Sequence, residues 1–361
     1  LGVTYALDES RRTVARASFA RYAGRIDSYY GTIESPSTYS YLAYFWDDLN
    51  ADGLPQGDEV RFSDGIQYYA NVDPENPDAF ESPNSIDPDY SAPIDYEVIV
   101  GIDREIVPDL AVSAAYTWRR VTNVGNWDTR IGLTSADYTA NDPVTANGFT
   151  AQTYSPDPDL VAASAGGVLK TNRPDYHQTF HGFELSLVKR LSNNWFGRAA
   201  FSFANHREYL TGPGAVQSPT INDVNAPGLA LAGPQVDGGL VAPRSAGSGK
   251  GDVFFGSKWQ VVASGRFQLP AGLGVAGSVY GRDGFPRPII LNLGGGSDGT
   301  IRAFAGSEID DVVFPDIWTF DFRLAKRFAF GPRAIVISAE LFNAFNANTV
   351  LNQNRDASSS V

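Results

Sequence analysis

Cysteine is absent from this 361-residue chain, which excludes a disulfide framework, a thiolate zinc site and a cysteine nucleophile. No run of 18 apolar residues occurs, so no transmembrane helix is expected. An excess of basic charge is also lacking. The net charge is −13, the wrong sign for wrapping phosphate, and nucleic acid is not an expected partner. Charged residues make up only 19%, whereas aromatics make up 12% and glycine occurs 36 times. Little charge with many aromatics and glycines suits β-structure with long, wet loops rather than disorder. The chain begins at Leu1, already inside an alternating run (LGVTYAL), without an initiator Met or a signal peptide, so a processed or partial chain is expected.

What the sequence does have is a five-fold recurrence. An alternating apolar/polar run of about ten residues meets a short turn and is answered by a second run, the length and pattern of a transmembrane β-strand. The expected hairpins pair 1–7 with 13–22, 96–105 with 110–120, 176–191 with 195–206, 258–269 with 273–282, and 317–328 with 334–345. The turns inside the hairpins are short. The connections between hairpins, 23–95, 121–175, 207–257 and 283–316, are long and rich in Gly, Pro, Asp, Asn and Ser. Loops of that length are uncommon in compact soluble domains. Short turns on one side and long loops on the other match an outer-membrane barrel, with the short side periplasmic.

The faces sort consistently. Trp318, Phe320, Phe322 and Leu324 share one parity, and Thr319, Asp321, Arg323 and Ala325 the other. Trp259, Val261, Ala263 and Phe267 oppose Gln260, Ser264, Arg266 and Gln268; Phe183, Leu185 and Leu187 oppose Glu184 and Ser186. A charge facing lipid at mid-membrane costs about 2–4 kcal/mol, so Asp321, Arg323, Arg266, Glu184, Arg198 and Glu340 are expected in a wet lumen. Trp118, Trp195, Trp259 and Trp318 fall near strand ends, where an aromatic girdle is expected. The fold class is therefore all-β, an antiparallel transmembrane β-barrel with short periplasmic turns and long extracellular loops. A soluble sandwich is the alternative, but its strands usually run to about five or six residues.

The sharpest local motif is DLNADGLPQGDE, residues 48–59, which fits the twelve-residue calcium-loop spacing. Asp48, Asn50 and Asp52 would give side-chain oxygens, Leu54 a carbonyl and Glu59 two oxygens, with Gly53 at the sharp turn. The flanks do not read as helical, and Pro55 departs from the usual apolar residue, so a strand-flanked Ca²⁺ loop and a plain acidic turn both remain open. The loop falls in the 23–95 excursion, expected outside the cell.

Other motifs read blandly. His177 and His181 share a strand face, Glu184 has the opposite parity, and a wet lumen or rim is expected for them. His206 is expected to close its strand. GLGVAG (272–277) reads as a hairpin turn and GGGS (294–297) as a loop, with no helix after either to cradle phosphate. The carboxylate pairs Asp47-Asp48 and Asp310-Asp311 fall in loops, and no nucleophile–base arrangement appears, so no enzyme is expected. The loop aromatics Tyr29, Tyr30, Tyr41, Tyr44, Trp46, Tyr68, Tyr69, Trp127, Tyr138 and Tyr154 either capture a ligand or pack loop on loop.

The C-terminal hairpin, WTFDFRLAKRFAFGPRAIVISAELFNAFNANTV, resembles the end of TonB-dependent outer-membrane receptors, where a strand with a basic end turns tightly into one ending like LFNAFN, here Leu341–Asn346. LGVTYALDESRRTVARASFARY, SAPIDYEVIVGIDREI and YGRDGFPRP resemble further strands in the family's order, and the DLNADG insert is most similar to the Oar-like branch. The resemblance implies a 22-stranded barrel filled by an N-terminal plug, with residues 1–361 supplying its C-terminal part, about the twelfth to the twenty-first strand. The plug, the TonB box, the first half of the barrel and a last strand after RDASSSV are not in this sequence, so a longer chain or a partner is expected to complete it. It further implies TonB-dependent uptake of an unidentified extracellular ligand, with outer-membrane lipid and an inner-membrane TonB complex as partners and a Gram-negative outer membrane as the location. The alternative is a surface-binding or assembly protein anchored by the barrel, with calcium-stiffened loops.

Overall fold

The computed structural model describes residues 1–25, 41–70, 72–76, 78, 84–128, 137–163, 169–172, 176–209, 238–242, 245, 253–296, 299–306 and 308–358. Its centre is one antiparallel sheet of ten strands, each hydrogen-bonded to the next in chain order. The strands are β1 Gly2–Ala6, β2 Thr13–Ala23, β3 Ile94–Val107, β4 Leu110–Thr122, β5 His177–Ser192, β6 Trp195–Tyr209, β7 Trp259–Gln268, β8 Leu273–Arg282, β9 Ile317–Phe330 and β10 Arg333–Leu341. A short strand, Gly239–Leu240, adds to the loop end of β6. Among the described residues β1 and β10 each have a single partner strand, so the sheet is open at both edges.

Local chemistry fixes the turns. Asn193 and Asn194 both adopt left-handed φ (50° and 67°), the two-residue turn whose twist suits a hairpin. Gly272 closes β7–β8 at φ 76°, and a Cβ there would meet the Arg327 carbonyl oxygen at 2.6 Å. Between strands the register runs straight across the sheet. One row reads Ala17, Val100, Tyr116, Phe183, Phe203 and Trp259; the adjacent row of opposite parity reads Arg16, Gly101, Ala115, Glu184, Ser202 and Gln260.

Two boundaries differ from expectation by more than two residues. β10 ends at Leu341 rather than Phe345. Asn343 takes φ 47°, and its side chain both donates to the Ala347 carbonyl (3.0 Å) and accepts the Ala347 N–H (2.8 Å), so the chain turns off the sheet. Asp321 holds the turn by accepting the Asn343 N–H (2.9 Å) and the Ser278 hydroxyl (3.1 Å), and Phe345 folds back edge-on to Phe320, 5.0 Å between centroids. His206 does not close its strand, because β6 continues to Tyr209.

The long connections form small sheets of their own. Leu169–Asn172 pairs with Ser85–Ile86 and Gly125–Asp128, Tyr41–Ala43 with Tyr68–Ala70, and Ile290–Gly296 with Gly299–Phe304. The glycines read as a GGGS loop therefore end a strand. The most deeply buried apolar side chains lie in these connections: Phe254 packs with Leu240, Ala242 and Ile309, and Leu291 with Ala151 and Ala303. The C-terminal segment joins the second cluster, where Ile290 bridges Asp356 and Asn147 donates to the Ala357 carbonyl (2.7 Å).

Candidate functional site

Period-two register gives the sheet one apolar and one polar face. All eight strand carboxylates, Asp95, Glu97, Asp103, Glu105, Glu184, Glu208, Asp321 and Glu340, lie on the polar face. Four of them are met by arginines of the same face: Arg16–Asp103 at 3.0 Å, Arg323–Glu340 at 3.3 Å, and Arg119 with both Asp95 and Glu97 (3.6 Å to the latter). Arg198 donates to Ser264 Oγ at 3.1 Å. A hollow of about 290 Å³ opens on this face, lined by Arg16, Ser113, Glu184, Ser186, Ser202 and Gln260. Gly101 leaves room for it: Arg16 lies across that glycine, where a Cβ would sit 2.9 Å from Arg16 Nε.

Toward the long loops the polar face carries a connected network. Tyr176 donates to Glu208 Oε2 (2.6 Å), Gln178 Nε2 to Tyr176 Oη (2.7 Å), and Gln178 Oε1 accepts from His206 Nε2 (3.1 Å). Sequence reasoning missed this cluster; the signal was there in the shared parity of Gln178, His206 and Glu208 once the pairing of β5 with β6 is known.

His177 and His181 are brought to one face, as their spacing requires: the apolar face, at its loop end, the position expected of a rim rather than of the lumen. His177 stacks on Tyr209 with centroids 4.9 Å apart, and His181 Nδ1 shares a 2.6 Å hydrogen bond with Tyr116. Trp318 lies flat over Gly281, its register partner, and meets Trp259 at 5.5 Å; with Trp118 they sit toward the loop end, while Trp195 sits at the turn end.

The 48–59 loop is a hairpin tip. Trp46 bridges Val60 at its neck, with Gly53 at φ 74° and Ala51 at φ 59°. Asp48 accepts the N–H groups of Asp52 (3.1 Å) and Gly53 (3.0 Å); Asn50 Oδ1 accepts Asp52 N–H (2.9 Å); and Asp52 accepts Leu54 N–H (2.8 Å). Buried Glu59 closes the loop, taking the N–H of Leu49 (2.9 Å) on one oxygen and that of Gln56 (3.1 Å) on the other. The Leu54 N–H, helped by Gln56 and Asn50, holds the Asp52 carboxyl below the usual range. All five expected donors thus share one tip, but the side-chain oxygens of Asp48, Asn50, Asp52 and Glu59 are turned onto its backbone. Among the described residues no group of three His, Cys, Asp or Glu side chains is gathered to hold a metal ion.

Of the loop aromatics, Tyr44 packs edge-on to Phe62 at 5.0 Å. Tyr29 and Tyr30 lie outside the described residues. A buried lysine that sequence reasoning passed over, Lys170, sits 5.2 Å above the Tyr90 ring, and burial holds its amine down at about 8. Gly284, in the GFPRP stretch, runs so close under Phe314 that a Cβ would be 1.6 Å from its carbonyl oxygen.

No family model matches the chain, and no curated protein matches it. Among solved structures it is similar to the outer membrane transporter YddB from Escherichia coli, at 14% identity and TM-score 0.45 over 98% of this chain and 37% of that one. It is also similar to the ferripyoverdine receptor of the outer membrane of Pseudomonas aeruginosa (11%, TM-score 0.46, 99% and 30%). A third is the siderophore receptor PirA from Acinetobacter baumannii (12%, TM-score 0.46, 99% and 38%). The chain spans about a third of the length of these structures, 30–38%.

Proposed function

We propose that the ten strands are part of the wall of a transmembrane β-barrel in a Gram-negative outer membrane, and that this wall belongs to a TonB-dependent receptor importing an extracellular ligand. The observation that carries the membrane reading is the exposed apolar face, with Val100, Ile102, Tyr116, Phe183, Leu185, Phe203, Trp318 and Leu324 all open. A soluble protein rarely exposes so large a contiguous apolar surface. From Trp195 to Phe203 that face runs ~27 Å along β6, or ~20 Å in height at a tilt of ~40°, close to the apolar band of such barrels.

The receptor part of the reading rests on the resemblance of the C-terminal hairpin and its LFNAFN end. The polar face would then line the lumen, with its ion pairs and hollow facing a plug supplied from elsewhere, and the long connections would form the outer surface. The role is transport rather than catalysis. Intact mass from the native membrane tests it. A mass on the order of 100 kDa, for a plug and 22 strands, is expected. A mass near 39.0 kDa would remove the transport reading and leave the anchored surface protein.

A second reading is favoured by the described parts of the loops, which form small sheets and the 48–59 hairpin tip: that tip is proposed to take up Ca²⁺ by turning the oxygens of Asp48, Asn50, Asp52 and Glu59 and the Leu54 carbonyl inward, stiffening an outer surface for binding or assembly. Chelation is expected to raise protease cleavage within 41–70, and Glu59→Gln to abolish that response. Equal cleavage with and without chelator would sink the calcium assignment.

A further inference from the structure

Arg119 and Arg120 are adjacent but face opposite ways. Arg119 is on the polar face against Asp95 and Glu97; Arg120 is on the apolar face and exposed. Charge on the apolar face follows a rule. Its charged residues, Arg21, Arg104, Arg120, Lys189, Arg207, Lys326 and Arg333, are all basic, and no strand carboxylate shares that face. They fall toward the two ends of the strands. At the turn end Lys189 and Lys326 bend back to bond the carbonyls of Arg190 and Ala271.

At the loop end one register row reads Arg21, Tyr96, Arg120, Thr179 and Arg207. Arg207 is engaged by Glu308 (3.1 Å) and Asp310 (3.8 Å). Arg21 and Arg120 are exposed, and among the described residues neither is within ion-pairing distance of a carboxylate. They stand two strands apart, roughly 10 Å. Between them is Tyr96, whose ring lies 5.9 Å from the Arg21 guanidinium. One step toward the middle of the strands the apolar face continues with Phe19, Val98 and Trp118.

We infer that Arg21 and Arg120, with Tyr96 between them, form a binding site for the phosphate of a net-anionic lipid headgroup in the leaflet on the long-loop side. This rests on the membrane reading of the sheet. In a chain of net charge −13, two arginines with no carboxylate partner among the described residues, on an acid-free strand face, are complemented by an anion from outside the protein. Guanidinium groups suit it, since they bind phosphate through a planar fork while their stems lie along apolar surface. The apolar rows below fix the ligand as a lipid: acyl chains would lie against Phe19, Val98 and Tyr116 while the phosphate meets the arginines.

The test uses the protein purified from its native membrane and reconstituted in phosphatidylcholine vesicles, with spin-labelled phosphatidic acid and spin-labelled phosphatidylcholine as probes. Co-flotation with vesicles is measured first; failure to float overturns the membrane reading itself. For protein that floats, preferential immobilisation of phosphatidic acid is expected. The pair Arg21→Gln/Arg120→Gln should weaken it on the order of ten- to thirty-fold. Arg104→Gln, at the turn end, should leave the long-loop-side signal unchanged. Equal immobilisation of both probes, or an unchanged preference in the double variant, overturns the inference. So does displacement of the lipid by millimolar inorganic phosphate, which would make this a site for the free ion.

Discussion

The ten-stranded sheet and the connections above it bury apolar residues in opposite ways. In the connections, Leu291, Ala303, Phe254 and Leu240 are almost fully enclosed by neighbouring side chains, as in a water-soluble core. In the sheet, Leu185, Phe322 and Leu324 stand open on one face, and the ion pairs between strands occupy the other. The same chemistry, removal of apolar area from water, operates in both. In the loops the chain supplies its own cover; the sheet face leaves that to its surroundings. The contrast teaches that apolar content by itself does not locate a core, whereas the parity of the charges does.

The contrast breaks most sharply under cavity formation. Leu291→Ala should destabilise the 290–304 hairpin by about 2–5 kcal/mol, read as faster amide exchange there, while Leu185→Ala on the open face should leave exchange in the sheet nearly unchanged. Comparable losses at both sites would mean that the sheet face is also a protein core. Next in size is the placement of a charge: Leu185→Arg should cost about 2–4 kcal/mol in vesicles, and Ser186→Arg, one residue on, close to nothing. Denaturant midpoints of the two reconstituted variants give the answer, and equal midpoints would remove the lipid-facing assignment.

A smaller effect sharpens the same division at adjacent residues. Arg119→Gln strips Asp95 and Glu97 of their partner and should cost about 1–3 kcal/mol, whereas Arg120→Gln should leave stability unaltered. Thermal midpoints of the two variants, measured side by side, check it. The smallest effect is a pH response of the loop sheet around Lys170. Its amine titrates at about 8 when folded and near its ordinary 10.5 when unfolded, so between those values the unfolded chain binds more protons and local stability rises with pH. Below about 8 the lysine is charged in both states and the dependence flattens. Protease protection of 169–172 and 84–87 should therefore increase from neutral to alkaline pH, and Lys170→Met should abolish the change.

Most strands were legible because long period-two alternation is a strong local code: the hairpin turns and the parity of Trp318, Asp321, Arg323 and Glu184 follow from period two alone. The end of β10 was not. Leu341 to Phe345 reads as strand by composition, and only the Asn343 turn, tied to Asp321 on the neighbouring strand, cuts it short. The small sheets in the loops were equally hidden, since pairs of two to seven residues carry too little periodicity. That 48–59 turns as one tip was legible from its Asx- and glycine-rich run, but the direction of the side-chain oxygens of Asp48, Asp52 and Glu59 was not, because backbone N–H groups compete for the same lone pairs.

The sequence by itself determined the ten strands, their pairing in chain order, and the segregation of carboxylates to one face, because side-chain direction in an extended chain follows from position parity alone. Only the tertiary structure decided which residues become neighbours across strands. It set Arg119 against Asp95 and Glu97, lined Arg21 up with Arg120 across β3, linked His206 to Gln178, and sealed Leu291 beneath the C-terminal segment. Those contacts depend on register between segments separated by long loops, and register is a property of the assembled sheet rather than of any one strand.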